Sequence, residues 1–250
     1  MISFIIPAHN EEACLPASLD ALGAAADKVG RPYEVIVVND ASTDATGEVA
    51  RRRGARVIDV AYRHIAATRN AGARAARGDI LFFVDADTQA NEGAITAGLM
   101  AIEQGAVGGG CHFLYAGWIP WWARLLLPVG NAAGRLLGVA GGAFLFCRRS
   151  EFEAVGGFCE RYFAAEEVAF VKALKRRGRF VVPRRTVLTS NRKLRTMSLW
   201  RAVAVLFRFV VRGPESYRSR DGLSLWYGPE ARDQIAEPVA AADGGRDPGS

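Results

Sequence analysis

The chain has 250 residues, of which 50% are apolar, 23% charged and 10% aromatic, a composition that excludes intrinsic disorder, collagen-like repeats and disulfide-rich miniprotein scaffolds. That length suits one large α/β domain or two small ones. The net charge is +6, and residues 229–250 hold five acids against two bases, so the remaining body is more basic still and favours anionic partners: nucleotide phosphates, nucleic acid or an acidic membrane surface.

Ser3–Pro7 and Glu34–Asn39 are the first two strand candidates. Between them Leu15, Leu19, Leu22, Ala26 and Val29 recur at steps of three and four, with Pro16 suited to a first helical turn. Asp44 can cap a second helix running to Arg53, which Gly54 stops before a third strand, Ala55–Val60. A third helix, Ile65–Ala76, precedes Gly78, and the wholly apolar run Ile80–Val84 suits a central strand. Asn91–Gln104 reads as helix. The order βαβαβαβ is that of a parallel sheet with crossover helices.

Beyond this the regularity fades into Gly108-Gly109-Gly110 and an apolar stretch from Phe113 to Phe146, broken by Pro120, Arg124, Pro128 and Arg135. Those interruptions argue against a membrane-spanning helix and for an interfacial or pocket-wall segment. Trp118, Trp121, Trp122 and Trp200 read either as core or as an apolar acceptor site or membrane-facing patch. Glu166–Arg177, closed by Gly178, and Met197–Arg212, a basic amphipathic pattern, are further helices. Residues 229–250 read as a disordered tail. Cys14, Cys111, Cys147 and Cys159 lack metal-site spacing, and Met1–Pro7 lacks the features of a signal peptide. The expectation is a cytoplasmic protein with reduced thiols, peripheral at the inner membrane face if its apolar patches meet lipid.

In open parallel sheets ligands bind beyond the carboxyl ends of the strands. Three strands end there in polar residues: Pro7-Ala8-His9-Asn10-Glu11-Glu12, Asn39-Asp40-Ala41-Ser42-Thr43-Asp44 and Asp85-Ala86-Asp87-Thr88. Residues two apart in an extended segment point the same way, so Asp85 and Asp87 could share one ligand, and carboxylates suit Mg²⁺ or Mn²⁺. An isolated D-x-D is more often a helix cap or a solvated turn. Here the buried run Phe82-Phe83-Val84 places it at a crevice rim. Asp40 faces the same crevice or caps the turn that follows it.

Together with Arg69-Asn70-x-Gly72, Gly78-Asp79, Gly141-Gly142-Ala143-Phe144, Gly156-Gly157-Phe158 and Glu166-Glu167, these motifs resemble, in order and spacing, the successive signatures of family 2 glycosyltransferases over residues 2 to 195. The resemblance implies an α/β GT-A fold: a Rossmann-like nucleotide-binding half with a mostly parallel central sheet flanked by helices, fused to an acceptor-binding half. It would occupy residues 1–228 as one domain, with a donor half to about residue 105, an acceptor half from about 106, and the tail from 229.

By that resemblance Pro7, Ala8 and Asp40 line the base and ribose pocket of a sugar nucleotide, Asn10, Glu11 and Glu12 form its loop, and Arg69 reaches toward the base or diphosphate. Asp85 and Ala86 meet the ribose or sugar, and Asp87, with Asp85, holds a divalent Mn²⁺ or Mg²⁺ on the diphosphate. Asn39 stands where many relatives carry a first aspartate. Arg192 and Arg195 are candidate diphosphate contacts, since guanidinium groups suit bidentate phosphate binding. The base is Glu167, or its neighbour Glu166. The reaction implied is an inverting, metal-dependent single displacement onto an acceptor hydroxyl, the Trp-rich stretch suggesting a lipid or lipid-linked acceptor. The Q-x-x-R-W pattern of processive relatives is absent from residues 189–195.

Two other readings compete. A nucleotidyltransferase of similar fold would want a glycine-rich loop with an arginine and a lysine after the first strand, where Ala8-His9-Asn10-Glu11 stands. A non-catalytic basic module would not need Asp40, Asp85, Asp87 and Glu167 together, and no nucleic-acid-binding motif is present.

Overall fold

The computed structural model describes residues 1–138, 140–162 and 166–192. Lys193, Arg195, Trp200, the helix expected over Met197–Arg212 and the tail from residue 229 lie outside the described residues. The elements follow the order β1 (Ile2–Ala8), α1 (Leu15–Val29), β2 (Tyr33–Asp40), α2 (Thr46–Arg52), β3 (Arg56–Val60), α3 (Ile65–Ala75), β4 (Ile80–Val84), β5 (Thr88–Gln89), α4 (Glu92–Glu103), β6 (Gly108–Gly110), β7 (His112–Tyr115), α5 (Trp121–Leu137), β8 (Phe144–Arg148), α6 (Arg149–Ala154), α7 (Glu166–Arg177), β9 (Phe180–Val181) and β10 (Thr186–Thr189).

Seven strands form one sheet in the order β3-β2-β1-β4-β8-β6-β9. The pairs from β3 to β4 are parallel, β8 runs antiparallel to both its neighbours, and β6 and β9 are parallel. Every residue of β1 is buried, because helices cover both faces of the sheet. Alternation sorts the side chains into two cores. Phe4, Ile6, Phe82 and Phe146 pack with Leu15, Leu22, Ile95 and Leu99 on one face. Ile5, Val38, Phe83 and Leu145 pack with Ala66, Phe158, Phe170 and Leu174 on the other.

Apart from the short strand β5, which the sequence did not mark, the elements through α4 fall where the sequence placed them, within two residues at each end. One detail differs at α2: its N-cap is Ala45, and Asp44 Oδ1 accepts from the Thr46 amide at 3.0 Å, one position along. The stretch after α4 is more ordered than its sequence suggested. Gly108–Gly110 is a fully buried strand, and a side chain on Gly109 would run into the Val181 carbonyl and the Phe146 ring. Gly109→Val is expected to cost about 3 kcal/mol, the upper end for overpacking, read as a lower urea midpoint. A variant as stable as the parent would contradict this packing. The stretch from Phe113 to Phe146 resolves into β7, helix α5 with Pro128 inside it, and the central strand β8.

A second, three-stranded sheet has the order β5-β10-β7. It ties the turn after β4 to residues 186–189, a hundred positions downstream, and so closes one side of the crevice at the strand ends.

Candidate active site

Two polar clusters meet at the carboxyl end of β4. The first is built on Arg69, which α3 buries to 2% exposure. Its guanidinium donates to Glu166 Oε1 at 2.5 Å, to Asp85 Oδ1 at 2.8 Å and to the Gly142 carbonyl at 3.2 Å, with the Phe158 ring 5.2 Å below. Burial disfavours its charge, but Asp85, Glu166 and Glu167 more than reverse that, so the guanidinium stays charged. Glu166 is 4% exposed, and burial followed by the neighbouring Glu167 charge outweighs Arg69, leaving its carboxyl pushed up to about 8. Glu167 is half-buried, with its Cβ and Cγ against Gly142.

The second cluster joins loops far apart in sequence. Arg192 donates to Glu11 Oε1 at 2.6 Å. Burial alone would lower the Arg192 pKa, yet Glu11 and, more weakly, Asp87 raise it. Asp87 is buried, accepts from Thr189 Oγ1 at 3.3 Å through Oδ1, and its carbonyl accepts from the Ser190 amide at 3.1 Å. Cys14 sits at the same place: burial, then Glu11, with Asp87 adding, pushes its thiol up to about 11 against the opposing effects of Arg192 and Ser190.

The Asp85-Ala86-Asp87 turn bridges the two clusters. It is not extended, as the sequence suggested. The Thr88 amide donates to the Asp85 carbonyl at 3.0 Å, closing a turn, and the Asp85 amide donates to Ala143 at 3.1 Å. Each aspartate thus has one oxygen committed, Asp85 to Arg69 and Asp87 to Thr189. Among the described residues no three His, Cys, Asp or Glu side chains are grouped to hold a metal by themselves. Among the described residues their second oxygens accept no hydrogen bond, and hard carboxylates suit Mg²⁺ or Mn²⁺, which typically take one or two of them plus substrate phosphates. The pair fits such an ion.

The other expected residues shape the crevice wall. Pro7 and Ala8 are the buried last residues of β1. Asn10 has a left-handed φ of 53°, and its Oδ1 accepts from the Thr43 amide at 2.8 Å. Glu12 Oε2 accepts from the Ala45 amide at 2.9 Å, so the loops after β1 and β2 are laced together. The Asp40 carboxylate accepts from the Arg63 and His64 amides at 2.8 and 3.0 Å and from Thr68 Oγ1 at 2.8 Å, anchoring the start of α3. Its carbonyl accepts from His9 Nδ1 at 2.7 Å, and burial pulls that imidazole below its usual range.

Cys14, read from the sequence as a core thiol, is one, buried at 3% exposure beside Glu11, whereas sequence reasoning gave no role to Gly142, Thr189 or Ser190. Their only signal was position: Gly142 stands just before β8, and Thr189-Ser190 precedes Arg192. It also missed the purpose of Asn70, whose side chain accepts from the Phe158 amide and donates to its carbonyl, both at 2.9 Å. That clamp fixes the loop at Gly157, φ 74°, where a side chain would strike Asn70. The loop in turn sets Phe158 beneath Arg69.

Comparisons with known proteins bear on the fold and the family. The undecaprenyl-phosphate 4-deoxy-4-formamido-L-arabinose transferase of Aeromonas hydrophila is 38% identical over 97 residues, 36% of this chain and 29% of that protein, so the match spans less than a third of the relative. Among solved structures, the mannosyltransferase PcManGT from Pyrobaculum calidifontis, in complex with GDP-Man and Mn²⁺, superposes with a TM-score of 0.62 at 21% identity, covering 92% of this chain and 72% of that one. TarS 1–349 of S. aureus in complex with UDP-GlcNAc gives 0.59 at 21% identity over 76% of this chain and 58% of that one. These likenesses establish the GT-A fold. The model of "Glycosyl transferase family 2" matches residues 3–153, which takes in β1 through α6 and with them Asp40, Arg69, Asp85 and Asp87, and the chain therefore belongs to that family.

Proposed function

We propose that the protein transfers a sugar from a nucleoside diphosphate sugar to an acceptor hydroxyl on a lipid or lipid-linked molecule, by a single displacement that inverts the anomeric carbon. The observation that carries this reading is the division of labour around Arg69. Asp85 and Glu166 are both bound to the guanidinium, whereas Glu167 has no hydrogen bond or ion pair among the described residues. Burial raises the Glu166 pKa, which would suit a base, but the side chain is sealed from substrate and spends an oxygen on Arg69. Glu167 is left to take the proton.

In the reaction the acceptor oxygen bonds to the anomeric carbon as the bond to the diphosphate oxygen breaks, and the hydroxyl proton passes to Glu167. Charge building on the diphosphate calls for cations in place beforehand, a role for Arg192 and, in the stretch beyond the described residues, Arg195. Pro7, Ala8 and Asp40 would line the base and ribose pocket, and Asp85 and Ala86 the sugar side. Asp87, assisted by Asp85, would hold a divalent ion, which neutralises diphosphate charge when bound. Residues 1–105 then act as the donor half and 106–228 as the acceptor half, at the cytoplasmic face of a membrane.

Calorimetry with UDP-, GDP- and dTDP-sugars, run with Mn²⁺ or Mg²⁺ and then with chelator, tests the donor side. Asp87→Ala is expected to weaken metal-dependent binding about 30-fold, equivalent to losing about 2 kcal/mol of charge-assisted bonding. Binding by the variant that matches the parent would remove Asp87 from the site. A second reading is favoured by the undecaprenyl-phosphate named for the Aeromonas relative: a lipid phosphate acceptor. Its attacking oxygen is already anionic and needs no base, so the two readings separate on whether Glu167 matters.

A further inference from the structure

We propose that the outward face of α5 seats the protein on an anionic membrane surface, with the helix lying in the headgroup layer. At 3.6 residues per turn, Trp121, Leu125, Val129 and Leu136 fall within an arc of about 80°. All four are exposed, Trp121 at 73% and Leu136 at 89%. Trp118, just before the helix, is also exposed. The buried side of α5 is small by comparison, with Ala123 its one fully buried residue outside position 137. A helix on a water-facing surface turns its apolar stripe to the core; here the large apolar side chains point away from it.

The charges say what covers this face. No Asp or Glu occurs between Glu103 and Glu151, and the same helical arithmetic sets Arg124, which is exposed, along one edge of the apolar arc, with Arg135 beside it turned partly inward toward Cys111 and His112. That is the pattern of an interfacial helix, whose cations reach from the apolar boundary to anionic headgroups. A second copy meets the face less well, since a two-fold contact would bring the arginines of both copies together with no acid in residues 104–150 to pair them. Residues 197–212, outside the described residues, carry Arg201, Arg208 and Arg212 and no acid, so they would add like charge too. No described helix is long and apolar enough to cross a membrane, so the helix lies on the bilayer.

The inference deepens the proposed function and rests on it only for the reason a membrane is needed. Its test is flotation of the full chain with phosphatidylcholine vesicles, with and without phosphatidylglycerol. The parent is expected to float with the anionic vesicles, and Leu125→Glu/Val129→Glu to lose about tenfold or more of that binding. Brominated lipid should quench tryptophan emission in the parent, and much less so in Trp118→Phe/Trp121→Phe, an arm that keeps the face apolar and the fold intact. A parent that does not float, unchanged flotation of the Glu variant, quenching unaffected by the Phe substitutions, or a parent dimer that the Glu variant splits would each overturn the proposal. Donor calorimetry on the same samples reads the function separately: failed flotation with intact sugar-nucleotide binding sinks the membrane face alone.

Discussion

Glu167→Gln is expected to lower kcat by about 10²–10⁴-fold, the usual contribution of a positioned general base, with sugar-nucleotide binding by calorimetry unchanged. Glutamine keeps the size of the side chain and its packing against Gly142, so the loss reads proton transfer and not shape. Glu166→Gln is the necessary comparison, because the two glutamates are neighbours at the start of α7. It removes a buried carboxylate that neighbours repel and keeps an acceptor for Arg69, so its effect on kcat should be much smaller. Equal losses in both would mean that the pair acts as a unit. If Glu167→Gln leaves kcat near the parent's value, the acceptor oxygen arrives already deprotonated, as the phosphate reading requires.

Arg69→Met is expected to be the most damaging substitution to stability. Methionine fills most of the space but leaves the buried Glu166 carboxyl and Asp85 without their cation. Removing one partner of a buried pair typically costs about 3–5 kcal/mol, against total stabilities of about 5–15 kcal/mol. The measurement is urea unfolding at neutral pH, with Arg69→Met/Asp85→Asn beside the single variant. The double variant should recover part of the loss, since it removes the stranded Asp85 charge, whereas Glu166, its carboxyl pushed up to about 8, is largely protonated at that pH. A cost below about 1 kcal/mol, the range of exposed pairs, would show that water reaches the hub.

The part of the fold through α4 was legible because its signals are local. Parallel strands covered on both faces are continuous apolar runs, as Ile80–Val84 is, and the helices between them carry a periodic stripe. Past Glu103 the determinants become distant. Gly108–Gly110 has no side chains to form a pattern, and what makes it a strand is the Phe146 ring and the Val181 carbonyl, far along the chain. The site divides in the same way. Asp85, Asp87 and the Glu166-Glu167 pair stand at element ends and could be singled out. The partner of Glu11, 181 residues away, could not. Nor could the donors that occupy Asp40, which come from the start of the next helix but one. Motifs that looked like chemistry, Asn70 and Gly156-Gly157-Phe158, turn out to hold each other so that Arg69 has a floor.

The reversed strand β8 has a mechanical consequence. A parallel strand in that place would enter from the far end of the sheet and deliver only its last residues to the crevice. Because β8 runs the other way, its leading residues arrive there first, and Gly142 and Ala143 are bonded to Arg69 and Asp85 before the strand begins. From Leu137, at the end of α5, to Gly142 is a leash of five residues, at most about 18 Å when fully stretched. The last turn of α5 is therefore held within that radius of Gly142, with the rest of the helix, 17 residues or about 25 Å long, extending beyond it; an acceptor carried on a surface under α5 would need to be searched for in two dimensions instead of three.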